Sequence, residues 1–243
     1  MDKEWFESWF ETPYYAMLYR NRNDLEAEFF VKKLVEHLKL KPGHRVADVA
    51  CGSGRHSAVF HALGLNVWGY DLSERFIGEA RSLCSQAVFT RHDMRHHYDE
   101  SEMDAVFNLF TSFGYFETRE EDVLALRNMA NLLGAEGVLV QDYINGMAVL
   151  PQLPIKMQDD YNGVHFEIEK HWQPPYIVKK IDVNDAGRQT QYTEKVRVYE
   201  YAELKQLHRE AGLEPVEVYG DYHLAEYSPL TSPRMVIISK KHK

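Results

Sequence analysis

Apolar residues recur at helical spacing through Ala27, Phe30, Val31, Leu34, Val35 and Leu38, and the run stops at Lys41-Pro42-Gly43. Asn23, with Glu26 three positions on, reads as a capping box at its start. The period then shortens. Arg45–Val49 is a short β-branched run, a helix follows from about Arg55, and residues 65–70 form a second apolar run. Ser73 caps a helix carrying Phe76, Ile77, Ala80 and Leu83, and residues 87–90 and 104–110 are further strand candidates. Thr118 and Glu121 make another capping box, opening a helix with Leu124, Leu126, Leu132 and Leu133 that ends at Gly134. Residues 137–143 are a fifth strand. Strands alternating with helices predict an α/β fold: a mostly parallel sheet with helices on both faces.

The alternation then breaks, because residues 144–200 separate the fifth strand from the next helical pattern, which begins at Tyr201 and stops at Gly212. A structureless loop of that length does not fit inside a compact domain. Its interior carries strand patterns instead. Val164, Phe166 and Ile168 alternate with His165, Glu167 and Glu169, residues 176–183 follow, and Asn184-Asp185-Ala186-Gly187 is a turn before residues 189–199. This predicts a small antiparallel sheet inserted at 151–199, between the halves 41–150 and 200–243 of one main domain. Residues 215–219 and 234–239 supply the last two strands. Ahead of all this, Trp5, Phe6, Trp9, Phe10, Tyr14, Tyr15 and Tyr19 crowd into a segment that predicts a helical cap over residues 1–40.

Composition narrows the function. The 243 residues are 44% hydrophobic and 27% charged, near globular averages, and no apolar run approaches the ~20 residues of a spanning helix. Met1-Asp2-Lys3-Glu4 leads into no apolar signal-peptide core, and Cys51 and Cys84 are too few for a disulfide framework or a four-cysteine zinc site. These features predict a reduced, cytoplasmic protein with no membrane partner. The net charge of −9 argues against a nucleic-acid partner. His92, His96 and His97 have no carboxylate at ligand spacing, so no metal is expected.

The chemistry concentrates in Val46-Ala47-Asp48-Val49-Ala50-Cys51-Gly52-Ser53-Gly54-Arg55-His56-Ser57, a strand running through Gly-x-Gly into a helix. Glycines there let the backbone approach a ligand, and the helix N-terminus offers N–H donors. Asp71, with Leu72 beside it, ends the second strand, where a carboxylate is placed to accept the hydroxyls of an adenosine ribose. Ser57 stands where a dinucleotide fingerprint has its third glycine, and Asp48 lies inside the strand; both disfavour a nicotinamide-dependent oxidoreductase.

The arrangement Asp48-x-x-Cys51-Gly52-x-Gly54-Arg55-His56-Ser57 resembles motif I of class I S-adenosylmethionine-dependent methyltransferases. His92-Asp93-Met94 is similar to the family's adenine-contacting segment, and Asn108-Leu109-Phe110-Thr111-Ser112-Phe113-Gly114-Tyr115 to the segment lining the methyl-transfer site. Tyr14-Tyr15-x-x-Leu18-Tyr19-x-x-Arg22 resembles a run of small-molecule methyltransferases that closes over the methionine end of the cofactor, with Arg22 for the carboxylate. The resemblance implies a Rossmann-like fold and S-adenosylmethionine as cofactor, with S-adenosylhomocysteine as product. It implies a small-molecule acceptor methylated at nitrogen or oxygen. A protein that binds the cofactor without catalysis is the alternative.

On this reading, Tyr14, Tyr19, Arg22, Asp48, Cys51, Gly52, Gly54, Asp71, Leu72, His92, Asp93, Met94, Asn108 and Phe110 contact the cofactor. Tyr14, Tyr19 and Arg22 gain partners only when it binds. Gln173-Pro174-Pro175-Tyr176 lies too late in the chain to be an amino-methyltransferase signature and reads as a turn between strands. The insertion leaves the sheet at its carboxyl edge, so it rises over the site to select the acceptor or serves as a homodimer contact. Tyr161, His165, His171, Trp172 and Tyr176 would then join Tyr115, Tyr222 and His223 as acceptor contacts. A catalytic base is sought among Tyr115, His165, Tyr222 and His223.

Overall fold

A computed structural model describes residues 4–21 and 24–242. The predicted capping box at Asn23 and the carboxylate partner Arg22 lie outside the described residues. Two short helices, α1 (Trp5–Trp9) and α2 (Pro13–Leu18), precede α3 (Asp24–His37). The main domain continues as β1 (Arg45–Val49), α4 (Arg55–Ala62), β2 (Asn66–Asp71), α5 (Glu74–Leu83), β3 (Val88–Arg91), β4 (Met103–Asn108), α6 (Arg119–Leu132) and β5 (Leu133–Ile144). After α7 (Gly146–Val149) and a 3-10 turn come β6 (Ile155–Tyr161), β7 (Val164–Gln173), β8 (Tyr176–Asp185) and β9 (Arg188–Arg197). The chain then returns through α8 (Tyr201–Glu210), β10 (Leu213–Tyr219) and β11 (Arg234–Lys241).

Seven strands form one sheet in the order β10-β11-β5-β4-β1-β2-β3, parallel from β3 to β5, with β11 antiparallel to both of its neighbours, β5 and β10. Central β1 is buried along Val46, Ala47, Asp48 and Val49, as a strand covered on both faces must be. Local chemistry sets the helix starts. Ser73 Oγ accepts from the Phe76 N–H at 3.2 Å to open α5, and Thr118 and Glu121 exchange both bonds of a capping box at α6. Strands β6-β7-β8-β9 form a second, antiparallel sheet of four strands. Its Val164, Phe166, Ile168, Ile181 and Val183 pack with Trp9 and Tyr15 of the N-terminal segment. The insertion therefore lays its apolar face on the cap. Strand β6 was not marked out by the sequence pattern, because nearly every residue in it is exposed.

Candidate active site

Between β1 and β4 the strand order reverses, since β2 and β3 extend one way from β1 and β4 the other. Open α/β sheets bind ligands at such a point, outside the carboxyl ends of the strands. A cavity of about 590 Å³ lies there. Its floor is the turn 49–53 after β1, Asp71 and Leu72 after β2, His92, Asp93 and Met94 after β3, and Leu109, Phe110 and Ser112 after β4. Its roof is the N-terminal cap, through Phe6, Phe10, Tyr15, Tyr19 and Arg20.

The two glycines of the turn do different work. Gly52 has φ +56°, and a Cβ added to it meets no atom within 4 Å, so its bare face opens onto the cavity. Gly54 has φ +84° and serves as the N-cap of α4, where an added Cβ would lie 2.9 Å from Ala80 Cβ of α5. Gly54 is thus absent from the cavity lining. Its bare Cα lets the start of α4 pack closely against α5.

Of the acidic residues that line the cavity, Asp48, Asp71 and Asp93 are held in different states. Asp71 Oδ2 accepts from the Gly52 N–H at 2.8 Å and Oδ1 from the Ser73 N–H at 2.9 Å, which ties the ends of β1 and β2 together. A carboxylate has about four lone-pair positions, so acceptor capacity remains for a ligand. Burial raises the Asp71 carboxyl above its usual range, against the lowering effect of those backbone donors. Asp48, 1% exposed inside β1, accepts from Ser57 Oγ at 2.6 Å, and burial pushes it up to about 6. Asp93 lines the cavity as half of an ion pair. Arg95 donates to it through Nη2 at 2.7 Å and Nε at 3.1 Å, and the same guanidinium reaches Glu4 at 2.7 Å and Glu121 at 2.8 Å. Burial raises the Asp93 carboxyl, but the Arg95 contacts outweigh it and hold the group below its ordinary value.

Beside Asp93 the His92 ring stacks on Tyr98, with centroids 4.2 Å apart. The Tyr98 hydroxyl is buried, has no hydrogen-bond partner among the described residues, and belongs to a side chain that lines the cavity. Cys51 is buried in the same wall, and burial, then Asp48 and Asp71, raise its thiol well above the usual value. Opposite, the Arg55 guanidinium lies 5.3 Å from the Phe110 ring centroid. Tyr115 lines the cavity too, its hydroxyl donating to the Thr111 carbonyl at 2.7 Å.

Several expected site residues stand elsewhere. Tyr14 faces the insertion, donating to Asp185 Oδ2 at 2.9 Å, and Tyr19 lines the cavity with its hydroxyl on Glu194 at 2.7 Å. Both have protein partners without any ligand, contrary to expectation. Asn108 is fully buried under the floor, donating to the Val49 and Ser112 carbonyls, each at 3.1 Å. Tyr222 stacks on Phe30 of α3 and donates to Asp142 at 3.0 Å. His223 packs on Phe29 at the surface. His165 is on the insertion, 2.8 Å from Asp160, which raises its pKa. None of Asn108, His165, Tyr222 and His223 lines the cavity, and neither does any described residue of the insertion, Tyr161, His171, Trp172 and Tyr176 included.

Conversely, Tyr15, Arg20, Arg55, His56, Phe76 and Tyr98 line it without having been singled out. Tyr15, Arg55 and His56 lie inside quoted motifs. Nothing local marks Tyr98, which reaches the site through the loop after β3. Among the described residues no group of three or more His, Cys, Asp or Glu side chains is arranged to hold a metal ion, and no helix is long and apolar enough to cross a membrane.

Residues 46–137 match a family described as a methyltransferase domain. A dTDP-3-amino-3,4,6-trideoxy-alpha-D-glucopyranose N,N-dimethyltransferase of Streptomyces venezuelae is 36% identical over 93 residues, 38% of this chain and 39% of that protein. The likeness thus spans about two fifths of that curated relative. A glycine/sarcosine N-methyltransferase of Aphanothece halophytica is 26% identical over 209 residues, 83% of this chain and 76% of its own. Among solved structures, S-adenosylmethionine-bound CalS10 of Micromonospora echinaspora, an amino pentose methyltransferase, superposes with a TM-score of 0.72. It shares 21% identity, with 95% of this chain and 98% of that one covered. At that identity the likeness speaks for the fold.

Proposed function

Since residues 46–137 are a class I S-adenosylmethionine-dependent methyltransferase domain, we propose that the protein transfers a methyl group from S-adenosylmethionine to an amine nitrogen of a small molecule. The observation that carries this reading is the pairing of Gly52 with Asp71 in one cavity wall. A backbone with no side chain faces open space beside a buried carboxylate with acceptor capacity left. That is what a ribose-bearing ligand pressed against a sheet edge requires.

When bound, the cofactor supplies a methyl group made electrophilic by its positively charged sulfur. This chain's residues do the rest. Asp71 accepts the ribose hydroxyls, Gly52 admits the ligand to backbone distance, and the His92–Tyr98 pair flanks the base. The aromatic roof excludes water, and Phe110 and Tyr115 bound the space left for the acceptor. Alignment of the acceptor is then the main catalytic contribution.

Nitrogen is favoured over oxygen by the kind of acceptor that similar proteins use. Of the four candidate bases only Tyr115 lines the cavity, its proton engaged by the Thr111 carbonyl, while the imidazoles that line it are those of His56 and His92. A neutral amine is nucleophilic enough to be methylated without a base, whereas a hydroxyl is a weak nucleophile until its proton is removed. The similar proteins named above, two acting on amino sugars and one on glycine or sarcosine, support the same choice. Incubation with methyl-labelled S-adenosylmethionine and a panel of amino sugars and amino acids, each beside its hydroxyl analogue, tests it. Label should pass to amines. Label on the hydroxyl analogues alone would overturn the nitrogen assignment, and cofactor binding with no transfer to any compound would mark a non-catalytic binder.

A further inference from the structure

The N-terminal cap is fastened on two sides. Near its start it is held by the main domain: Glu4 pairs with Arg95 at 2.7 Å, and Arg75 Nη2 donates to the Phe10 carbonyl at 2.9 Å. Trp9, Tyr14, Tyr19 and Arg20 bond instead to the inserted sheet. Trp9 Nε1 and the Tyr19 hydroxyl both donate to Glu194 of β9 at 2.7 Å, although ten residues of chain separate them. Lys179 of β8 completes the group, its ammonium 2.5 Å from the Tyr19 oxygen and 3.6 Å from Glu194. Arg20 grips Asp159 of β6 through two bonds of 2.7 and 2.9 Å, and Tyr14 donates to Asp185 of β8.

Tyr15, Tyr19 and Arg20 line the cavity, and no described residue of the insertion does. The insertion therefore reaches the cavity through the cap. Glu194 sits where this connection converges, since one carboxylate receives donors from the end of α1 and from just beyond α2. The Lys179 and Glu194 side chains are only 10% and 15% exposed, so solvent screens the group weakly. Hydrogen bonds to an ionised acceptor are about twice as strong as neutral ones.

We propose that the inserted sheet is the clasp that holds the N-terminal cap closed over the ligand cavity, with Glu194 as the positioning residue that ties Trp9 and Tyr19 to it. The clasp is a property of the free protein; only its effect on ligand retention rests on the methyltransferase reading. The full chain is compared with Glu194→Ala, Glu194→Gln and, as a milder cut should Glu194→Ala fail to fold, Tyr14→Phe. Hydrogen exchange is measured over residues 9–21 and over β1 and β4, and the dissociation rate of S-adenosylhomocysteine by stopped-flow tryptophan fluorescence.

Losing two or three such bonds should speed exchange of residues 9–21 by about 10–100-fold in Glu194→Ala, with β1 and β4 unchanged. Dissociation should quicken by a similar factor. Glu194→Gln, which keeps acceptors for Trp9 and Tyr19, should recover most of both effects, and Tyr14→Phe should loosen the segment by a few-fold. Unchanged exchange of residues 9–21 in folded Glu194→Ala or Tyr14→Phe overturns the clasp. Faster exchange with unchanged dissociation overturns its role in retaining the ligand. A wild-type protein that does not bind S-adenosylhomocysteine would instead contradict the proposed function, while the exchange arm still decides the clasp.

Discussion

Gly52 and Gly54 stand two residues apart with similar backbone twist, yet substitution should separate them cleanly. Alanine at Gly52 places a methyl in the open cavity and costs about 1–2 kcal/mol of backbone strain. Alanine at Gly54 adds a collision with Ala80 in a packed helix pair to the same strain. Gly54→Ala should therefore lower the thermal midpoint further than Gly52→Ala does, and Gly52→Ala should weaken S-adenosylhomocysteine far more than its stability loss explains. Equal effects of the two on binding, measured by calorimetry on folded protein, would refute this division of labour. The glycine pair itself was legible in the sequence. Which glycine faces the ligand was not, because that depends on where α5 packs.

At the scale of elements, the turn after β4 shows how a wall of the cavity is held. Phe110 and Thr111 both have φ +60°, a costly region for residues with side chains. Asp142 at the end of β5 compensates. Its Oδ2 accepts from the Phe110 N–H at 2.8 Å and from the Tyr222 hydroxyl at 3.0 Å, and Oδ1 pairs with Arg234 Nε at 2.7 Å. Arg234 in turn donates to Thr111 Oγ1 at 2.8 Å. Tyr222 is thus a strut of the wall, and Tyr222→Phe should cost about 0.5–1.5 kcal/mol of stability, one hydrogen bond's worth, with cofactor affinity within two-fold of wild type. A collapse of methyl transfer at unchanged stability would return Tyr222 to the list of bases. The elements themselves were read from the sequence where local signals fix them: the alternation of strands and helices from 45 to 143, the Ser73 cap and the Thr118–Glu121 box. Strand β6 escaped because it pairs only with β7 at the sheet edge and shows no buried period of two.

Over the whole molecule, buried acids make stability depend on pH. Asp122 of α6 is fully buried, accepts from the Tyr199 hydroxyl at 2.7 Å, and is pushed up to about 7 chiefly by burial. A folded-state value above the unfolded one, near 3.9, means the native state holds the proton more tightly. The stability this contributes is complete below about pH 4 and is lost as pH rises through about 7. Asp122→Asn keeps a carbonyl for Tyr199 and removes the ionisation. Relative to this variant, the wild type should lose on the order of 1.4 kcal/mol per pH unit across that window, as an upper bound. Urea unfolding at pH 5 and pH 8 checks it, and parallel curves for the two proteins would place the Asp122 charge in a solvated setting. Asp48, pushed up to about 6, acts with the same sign in both proteins and cancels in the comparison.

The same scale explains what the sequence withheld about the site. Asp48, Gly52 and Asp71 are joined by a strand, a turn and one crossover, so spacing alone brings them together. Tyr98 arrives by an irregular loop, and Glu194 acts from a separate sheet across 185 positions of sequence from Trp9. Partners so distant follow only from tertiary packing. No described residue of the insertion lines the cavity, and its apolar face packs on the aromatic cap.

Calorimetric titration of the protein with S-adenosylhomocysteine, run beside Asp71→Ala and beside NAD, bears most directly on the site. Wild type should bind one equivalent of S-adenosylhomocysteine and no NAD. Asp71→Ala, folded by circular dichroism, should bind it more weakly by about 1.5–3 kcal/mol, the range for a hydrogen bond to a charged group. Equal affinity in the two proteins, or binding of NAD in place of S-adenosylhomocysteine, would contradict the placement of the cofactor against Gly52 and Asp71.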